Sequence, residues 1–328
     1  MRAVICTRYG PARDLSIRDV PVPVVKPGEI LLRVGAVEVT KADCEMRAMR
    51  FPVRWFAWLL RLALGWRKPR NPTFGSYFAG RVEGVGSGVE HPTVGDDVYG
   101  SSGLRFGSHA EYVCVSGNAV LVGKPRNLSF AEAAAIPLGG WNALHFMRRA
   151  RIAAGERVLI IGAGGSIGSY AVQIAKHFGA HVTAVDAPHK LEWLRGLGAD
   201  QVVDYTTADA LAVREAYDVV FSTIAASDYD RCLHALKPRG RYLTANPRLS
   251  DMLRSLWTNL TSHKRVTVAF AAESREELET LRTMAESGQL RPTLDRVLPL
   301  EDAATAHERV ETEARVGAVV LEPGLRAG

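Results

Sequence analysis

The sequence predicts an α/β chain: a doubly wound parallel sheet inserted into a β-rich domain. Three observations predict it. A glycine-dense turn joins an apolar run to a helical stretch near residue 160, strands and helices then alternate, and the first third is written in short strands punctuated by Gly and Pro.

Residues 157–161 (RVLII) are apolar and break into GAGGSIG, after which Tyr170, Val172, Ile174, Ala175 and Phe178 recur at helical spacing. Strand, glycine turn and helix is the geometry that aims backbone N–H groups and a helix N-terminus at a pyrophosphate. Read as G-x-G-x-x-G, the first place falls on Ala163, with Gly165 and Gly168 second and third. Gly165 would let the backbone approach the phosphates and Gly168 would let the helix pack close. Gly162, Ser166 and Ile167 complete this candidate contact. Asp186 ends the next apolar run, HVTAVD, about 20 residues on, where a carboxylate can accept hydrogen bonds from a ribose diol. The competing reading is an ordinary βα turn.

The parallel strands are expected at 157–161, 181–186, 201–205, 218–224, 241–245 and 266–270. Before them, MRAVICT, EILLRVGAVEV, YFAGRVEGVGSGV, DDVYGSS and HAEYVCVS read as strands of a partly closed barrel. Ser129 and Glu132 make a capping box that opens two helices broken at Pro137 and Gly139–Gly140. Two amphipathic helices follow the parallel part, EELETLRTMAESGQ and EDAATAHERVETE. The closing strand VGAVVLEP then returns to the first domain. The expected division is 1–125 plus 271–328 for the β-rich domain and 126–270 for the nucleotide domain, with cofactor and substrate in the cleft between them.

Of 328 residues, 47% are hydrophobic, ample for a core. The net charge of +6 is dispersed apart from a cluster between Arg47 and Arg70, which argues against nucleic acid. The four cysteines (Cys6, Cys44, Cys114, Cys232) form no C-x-x-C pair, so a reducing, cytoplasmic setting is expected. Residues 50–70, rich in Trp and Arg, have an apolar centre too short to span a bilayer. They are open to three readings: peripheral membrane contact, a flap over an apolar pocket, or a core helix.

The whole chain resembles the medium-chain dehydrogenase/reductase superfamily, in its zinc-free, quinone-oxidoreductase-like branch. The resemblance is carried by KPGEILLRVGAVEV, AGRVEGVGSGVEHPTVGDDVYG, AAAIPLGGWNAL, GAGGSIGSYAVQIAKHFGA, LRGLGADQVVDY, LKPRGRYLTANP and GQLRPTLDRVLPLEDAATAH. It implies a GroES-like barrel with an inserted Rossmann domain, often as a homodimer joined at the nucleotide-domain sheet edge. Where zinc members carry a cysteine this chain has Thr40, and where they carry Gly-His-Glu it has Gly75-Ser76-Tyr77. No zinc is therefore expected, with Cys44 and His109 left for any other metal arrangement.

Without a metal to polarise a carbonyl, hydride delivery to an enone or quinone is favoured, because charge spreads onto an oxygen that hydrogen bonds can hold. Thr40 and Tyr77 are the candidate donors, and Asp43 reads as a turn anchor. Asp186 would repel a 2′-phosphate and favours NAD(H) over NADP(H), although Lys190 can attract one. Tyr205 and Ile224 are expected to line the adenosine, and Ala245 and Asn246 to lie near the nicotinamide. The substrate expected is a small apolar carbonyl or quinone. The alternatives are a non-catalytic nucleotide-binding or membrane-associated protein of this fold, or a tailoring reductase or cyclase of secondary metabolism.

Overall fold

The computed structural model describes residues 1–51, 61, 62, 64–224, 227–246, 248–269 and 271–324. Residues 52–60 and 63 of the 50–70 segment, and residue 270 of the strand expected at 266–270, fall outside them. The chain divides into two units: 1–137 with 273–287 and 292–328, and 138–272 with 288–291.

In the first unit β1 (Arg2–Ile5) pairs antiparallel with β2 (Ser16–Asp19). β3 (Glu29–Val39) is its longest strand and runs into helix α1 (Lys41–Ala48). β4 (Tyr77–Val85), β5 (Asp97–Ser101), β6 (Tyr112–Ser116) and β7 (Leu121–Gly123) follow. Ile30, Leu32 and Val34 of β3 alternate inward and, with Phe78, Val82, Val98 and Val115, make an apolar core. Helix α2 (Phe130–Ala134) packs on β3 and β4. That contact keeps 126–137 with the first unit and moves the boundary beyond the expected 125.

Helix α3 (Ile136–Ala150) contains Pro137 and both glycines, so the helix break precedes Pro137. Proline is tolerated there because first-turn N–H groups have no helical partner. A Cβ on Gly139 would lie 2.5 Å from the Ser166 carbonyl oxygen, so glycine is what lets the neighbouring helix approach.

The second unit holds β8 (Arg157–Ile161), α4 (Ser166–His177), β9 (His181–Asp186), α5 (Leu191–Gly196), β10 (Gln201–Asp204), β11 (Tyr217–Ser222), α6 (Tyr229–Ala235), β12 (Leu236–Thr244), α7 (Leu249–Thr261) and β13 (Arg265–Val268). Its six strands are all parallel, in the order β10-β9-β8-β11-β12-β13. β11, β12 and β13 start earlier than expected and the parallel strands after β9 end one or two residues sooner. Helix α7 was not anticipated. Residues 288–291 join this unit through Gln173, which bonds both the N–H (2.7 Å) and the C=O (3.1 Å) of Arg291.

The chain then re-enters the first unit as α8 (Arg275–Glu286), β14 (Leu294–Pro299), α9 (Ala303–Glu311) and β15 (Ala318–Glu322). β15 pairs parallel with β14 and antiparallel with β3, the expected return. The larger sheet runs β14-β15-β3-β4-β5-β7, with β6 also paired to β3. Among the described residues no helix is long and apolar enough to cross a membrane.

Candidate active site

The second unit gathers every residue expected to meet the cofactor at the carboxyl edge of its sheet. β8, β9, β10, β11 and β12 end there, on or beside Gly162, Asp186, Tyr205, Ile224 and Ala245–Asn246. Strand order reverses beside β8, the switch point at which such sheets leave a crevice. Gly162 has φ +77°, which favours glycine. Gly165 is the N-cap of α4, makes no side-chain cap, and a Cβ there would meet nothing nearer than the Gly162 carbonyl oxygen at 3.8 Å. At Gly168 a Cβ would sit 2.3 Å from the Gly162 carbonyl oxygen and 2.6 Å from Ala163 Cα. Only glycine lets α4 approach the turn so closely.

Thr223, not anticipated, holds the turn in place. Its hydroxyl shares its one proton between the carbonyls of Ile161 (3.1 Å) and Gly162 (3.0 Å), and Asn246 Nδ2 donates to the Thr223 backbone carbonyl at 2.7 Å. Asn246 is thereby a support for the turn, beside the half-exposed Ile224. Tyr205 is exposed.

Asp186 departs from expectation. It is buried, and its Oδ2 accepts from the Gly164 N–H at 2.6 Å. Oδ1 accepts from the Ala187 N–H at 2.8 Å and lies 3.2 Å from Nζ of Lys190, which is also buried. The carboxylate is therefore already neutralised, and it occupies one N–H of the glycine turn. This pairing follows from burial: two opposite charges out of water must meet.

In the first unit Thr40 caps α1. Its hydroxyl donates to Asp43 Oδ2 (2.6 Å) and accepts from the Asp43 N–H (3.0 Å), while the Thr40 N–H also bonds Asp43 Oδ2 at 2.9 Å. Asp43 Oδ1 accepts from the Gly75 N–H at 3.0 Å, fixing the approach to β4. Asp43 is thus the expected anchor, whereas Thr40 has its one proton committed and is a cap in this state, not a free donor. Tyr77 hydrogen-bonds Glu273, whose Oε1 also accepts from Ser101 at 2.7 Å. Tyr77 and Ser101 are cross-strand partners, so one carboxylate spans the pair. Burial, then the nearby carboxylates Glu273, Glu38 and Asp43, push the Tyr77 hydroxyl well above its ordinary pKa.

Cys44 and His109 meet a third residue, His307. The Cys44 thiol lies 3.3 Å from His307 Nδ1, and the two imidazoles stack edge to face at 5.6 Å. Burial pushes the thiol up and both histidines down, so all three are neutral. No group of three or more His, Cys, Asp or Glu among the described residues is arranged to hold a metal ion.

A wholly parallel sheet with a glycine turn at its switch point, in a chain whose other unit is a β-rich barrel-like body, defines a nucleotide-dependent dehydrogenase or reductase fold. Comparison with known proteins agrees. Residues 26–126 match the alcohol dehydrogenase GroES-like domain, and 197–321 match the zinc-binding dehydrogenase family. The chain is 30% identical to the 2-methylene-furan-3-one reductase of Solanum lycopersicum, over 98% of this chain and 79% of that one. It is 29% identical to the chloroplastic NADPH-dependent alkenal/one oxidoreductase of Arabidopsis thaliana, over 98% and 80%. The solved quinone oxidoreductase from Coxiella burnetii superposes with a TM-score of 0.87 at 28% identity, covering 99% of both chains. The chain belongs to the medium-chain dehydrogenase/reductase superfamily.

Proposed function

We propose that this chain reduces an α,β-unsaturated carbonyl or a quinone at the expense of NAD(P)H, without a metal ion. The observation that carries the reading is the start of α4, where an N-cap glycine with no side-chain cap, and no atom within 3.8 Å of where a Cβ would stand, fits a diphosphate. Bound there, the reduced nicotinamide supplies the hydride. The first-turn N–H groups of α4 hold the anion, and Thr223 keeps the turn rigid. Tyr77 is the donor to the developing enolate, exchanging Glu273 for it, and Asp43 with Thr40 positions the loop leading to Tyr77. Solvent supplies the proton to carbon.

The acceptor class is supported by the relatives' names and by the residues at the zinc-ligand positions. Zinc takes Cys, His, Asp or Glu, and Thr40, Ser76 and Tyr77 are none of these. A conjugated acceptor is the one that manages without a Lewis acid. Nucleotide oxidation with a panel of enones and quinones, before and after chelation, tests this. Turnover that survives chelation is expected. Absence of any thermal shift with either nucleotide, or activity strictly dependent on added zinc, defeats it.

NAD(H) over NADP(H) rests on Asp186. With Lys190 cancelling its charge, we propose a preference for NAD(H) of no more than about tenfold, roughly 1.4 kcal/mol. Lys190 is the group a 2′-phosphate would recruit. Asp186→Ser should reverse the ratio of kcat/KM for the two nucleotides; an unchanged ratio removes Asp186 from the assignment. The four free thiols support a reducing, cytoplasmic setting, and a homodimer is the assembly proposed.

A further inference from the structure

Tyr77 has one hydroxyl proton, and the fold already directs it. The phenol hydrogen-bonds Glu273. Ser101, its cross-strand partner on β5, gives its own proton to Glu273 Oε1 at 2.7 Å and accepts from the Gly103 N–H at 2.9 Å. Two hydroxyls thus converge on one carboxylate, and an ionised carboxylate can only accept. In that state neither hydroxyl has a proton to offer a bound molecule.

The three groups differ in their access to water. Ser101 is buried, Tyr77 half-buried and Glu273 exposed, so the carboxyl group is the member that exchanges protons with solvent. The charges acting on the phenol are Glu273, Glu38 from β3 and Asp43 from α1. Arg275, two residues beyond Glu273, is turned to the carbonyls of Leu121 (2.7 Å) and Ala119 (3.5 Å). Burial and the three acids hold the phenol far above its ordinary pKa, so Tyr77 serves as a hydrogen-bond donor and not as a tyrosinate.

A proton on Glu273 reverses the chain. The carboxyl O–H then donates to Tyr77 Oη, while the other oxygen keeps the bond from Ser101. The phenolic proton is released to point elsewhere. One proton taken from solvent at an exposed group thereby turns the hydroxyl of a less accessible one.

We propose that Glu273 is a positioning residue that sets the direction of the Tyr77 hydroxyl: ionised, it holds that proton to itself, and protonated, it turns the proton to the oxygen of the acceptor. This rests on the reduction proposed above, in which Tyr77 steadies the developing enolate. Glu273→Gln fixes the second arrangement, since its amide N–H donates to Tyr77 and its C=O accepts from Ser101. In the wild type kcat/KM for an enone should fall with rising pH, by up to about tenfold per unit, as Glu273 ionises. Glu273→Gln should lose that fall and, at about pH 8, exceed the wild type by at least about threefold. In a Tyr77→Phe background the same substitution should change neither rate nor profile. A second readout needs no turnover. With tyrosine isotope-labelled at Cζ, the Tyr77 carbon resonance of the nucleotide-free protein, assigned by its loss in Tyr77→Phe, should shift as Glu273 titrates and stay fixed in Glu273→Gln. A glutamine variant with the wild-type profile, a glutamine effect that survives in Tyr77→Phe, or a resonance that moves alike in both proteins would each overturn the proposal. A resonance coupled to Glu273 without turnover of any enone or quinone would support the switch and defeat the acceptor assignment alone.

Discussion

Two helices, one in each unit, begin in opposite ways. Each has first-turn N–H groups without helical partners. At α1 the chain satisfies them itself: Thr40 and Asp43 form a reciprocal box, and Asp43 reaches on to Gly75. At α4 the N-cap is Gly165, which offers no acceptor. The first is a finished structure in which every hydroxyl proton is spent. The second begins without a side-chain cap. The opening of α1 is thus closed by its own side chains, whereas that of α4 has no side-chain cap.

That contrast breaks most sharply at Gly168. Gly168→Ala forces a Cβ against two backbone atoms that cannot rotate away, so the second unit should lose about 3 kcal/mol or more in urea unfolding. Gly165→Ala meets nothing nearer than 3.8 Å. It should leave stability within about 0.5 kcal/mol yet reduce nucleotide affinity in a titration, because the methyl enters the space reserved for phosphate. Equal losses of stability in both variants would show that the opening of α4 is not reserved for anything.

The finished end is tested by Asp43→Ala. It leaves the N–H of Thr40, its hydroxyl and the Gly75 N–H without an acceptor in a buried place, a cost of about 2–4 kcal/mol to the first unit. Asp43→Asn, which keeps an acceptor oxygen, should recover about half. A denaturation midpoint unmoved by the alanine would remove Asp43 from its anchoring role.

How much of this was legible follows the range of each contact. The turn at 162–168 and the parallel strands are written in consecutive residues, and the sequence read them to within a few positions except for the early start of β12. The Thr40–Asp43 box was legible too, by the same spacing that marks Ser129 and Glu132. Reading Thr40 as a donor missed that the box consumes its proton. Glu273 lies 196 residues from Tyr77, and only the fold brings α8's entrance beside β4 and β5. Lys190 stands four residues from Asp186, a visible spacing, but burial decides that they pair. Helix α7 has plain apolar periodicity; what no periodicity states is that the apolar side faces outward.

Acid should separate the two units again. His109 and His307 are held neutral by burial, their pKa values lowered from 6.5. A lowered value means the unfolded chain takes up protons first. Stability is therefore whole above pH 6.5 and falls below it, by up to about 1.4 kcal/mol per pH unit for each histidine. The second unit has a histidine lowered in the same way, His145 on α3, by burial and then by Arg149; beside β9 and β10 the group that counts is Asp200. Burial alone would raise its pKa, but hydrogen bonds from Lys176, the Val182 N–H and His181 outweigh that and bring it to about 2. Its contribution is whole above pH 3.8 and is lost only as pH falls toward 2. With its side chain 30% exposed, Asp200→Asn should cost only about 1 kcal/mol at neutral pH, most of the shift being screened. Hydrogen exchange between pH 7 and 4 should show the strands around His109 losing protection while β9 and β10 keep theirs; a single transition with both units opening at one pH would abolish the distinction, because the two kinds of buried polar group would then titrate alike.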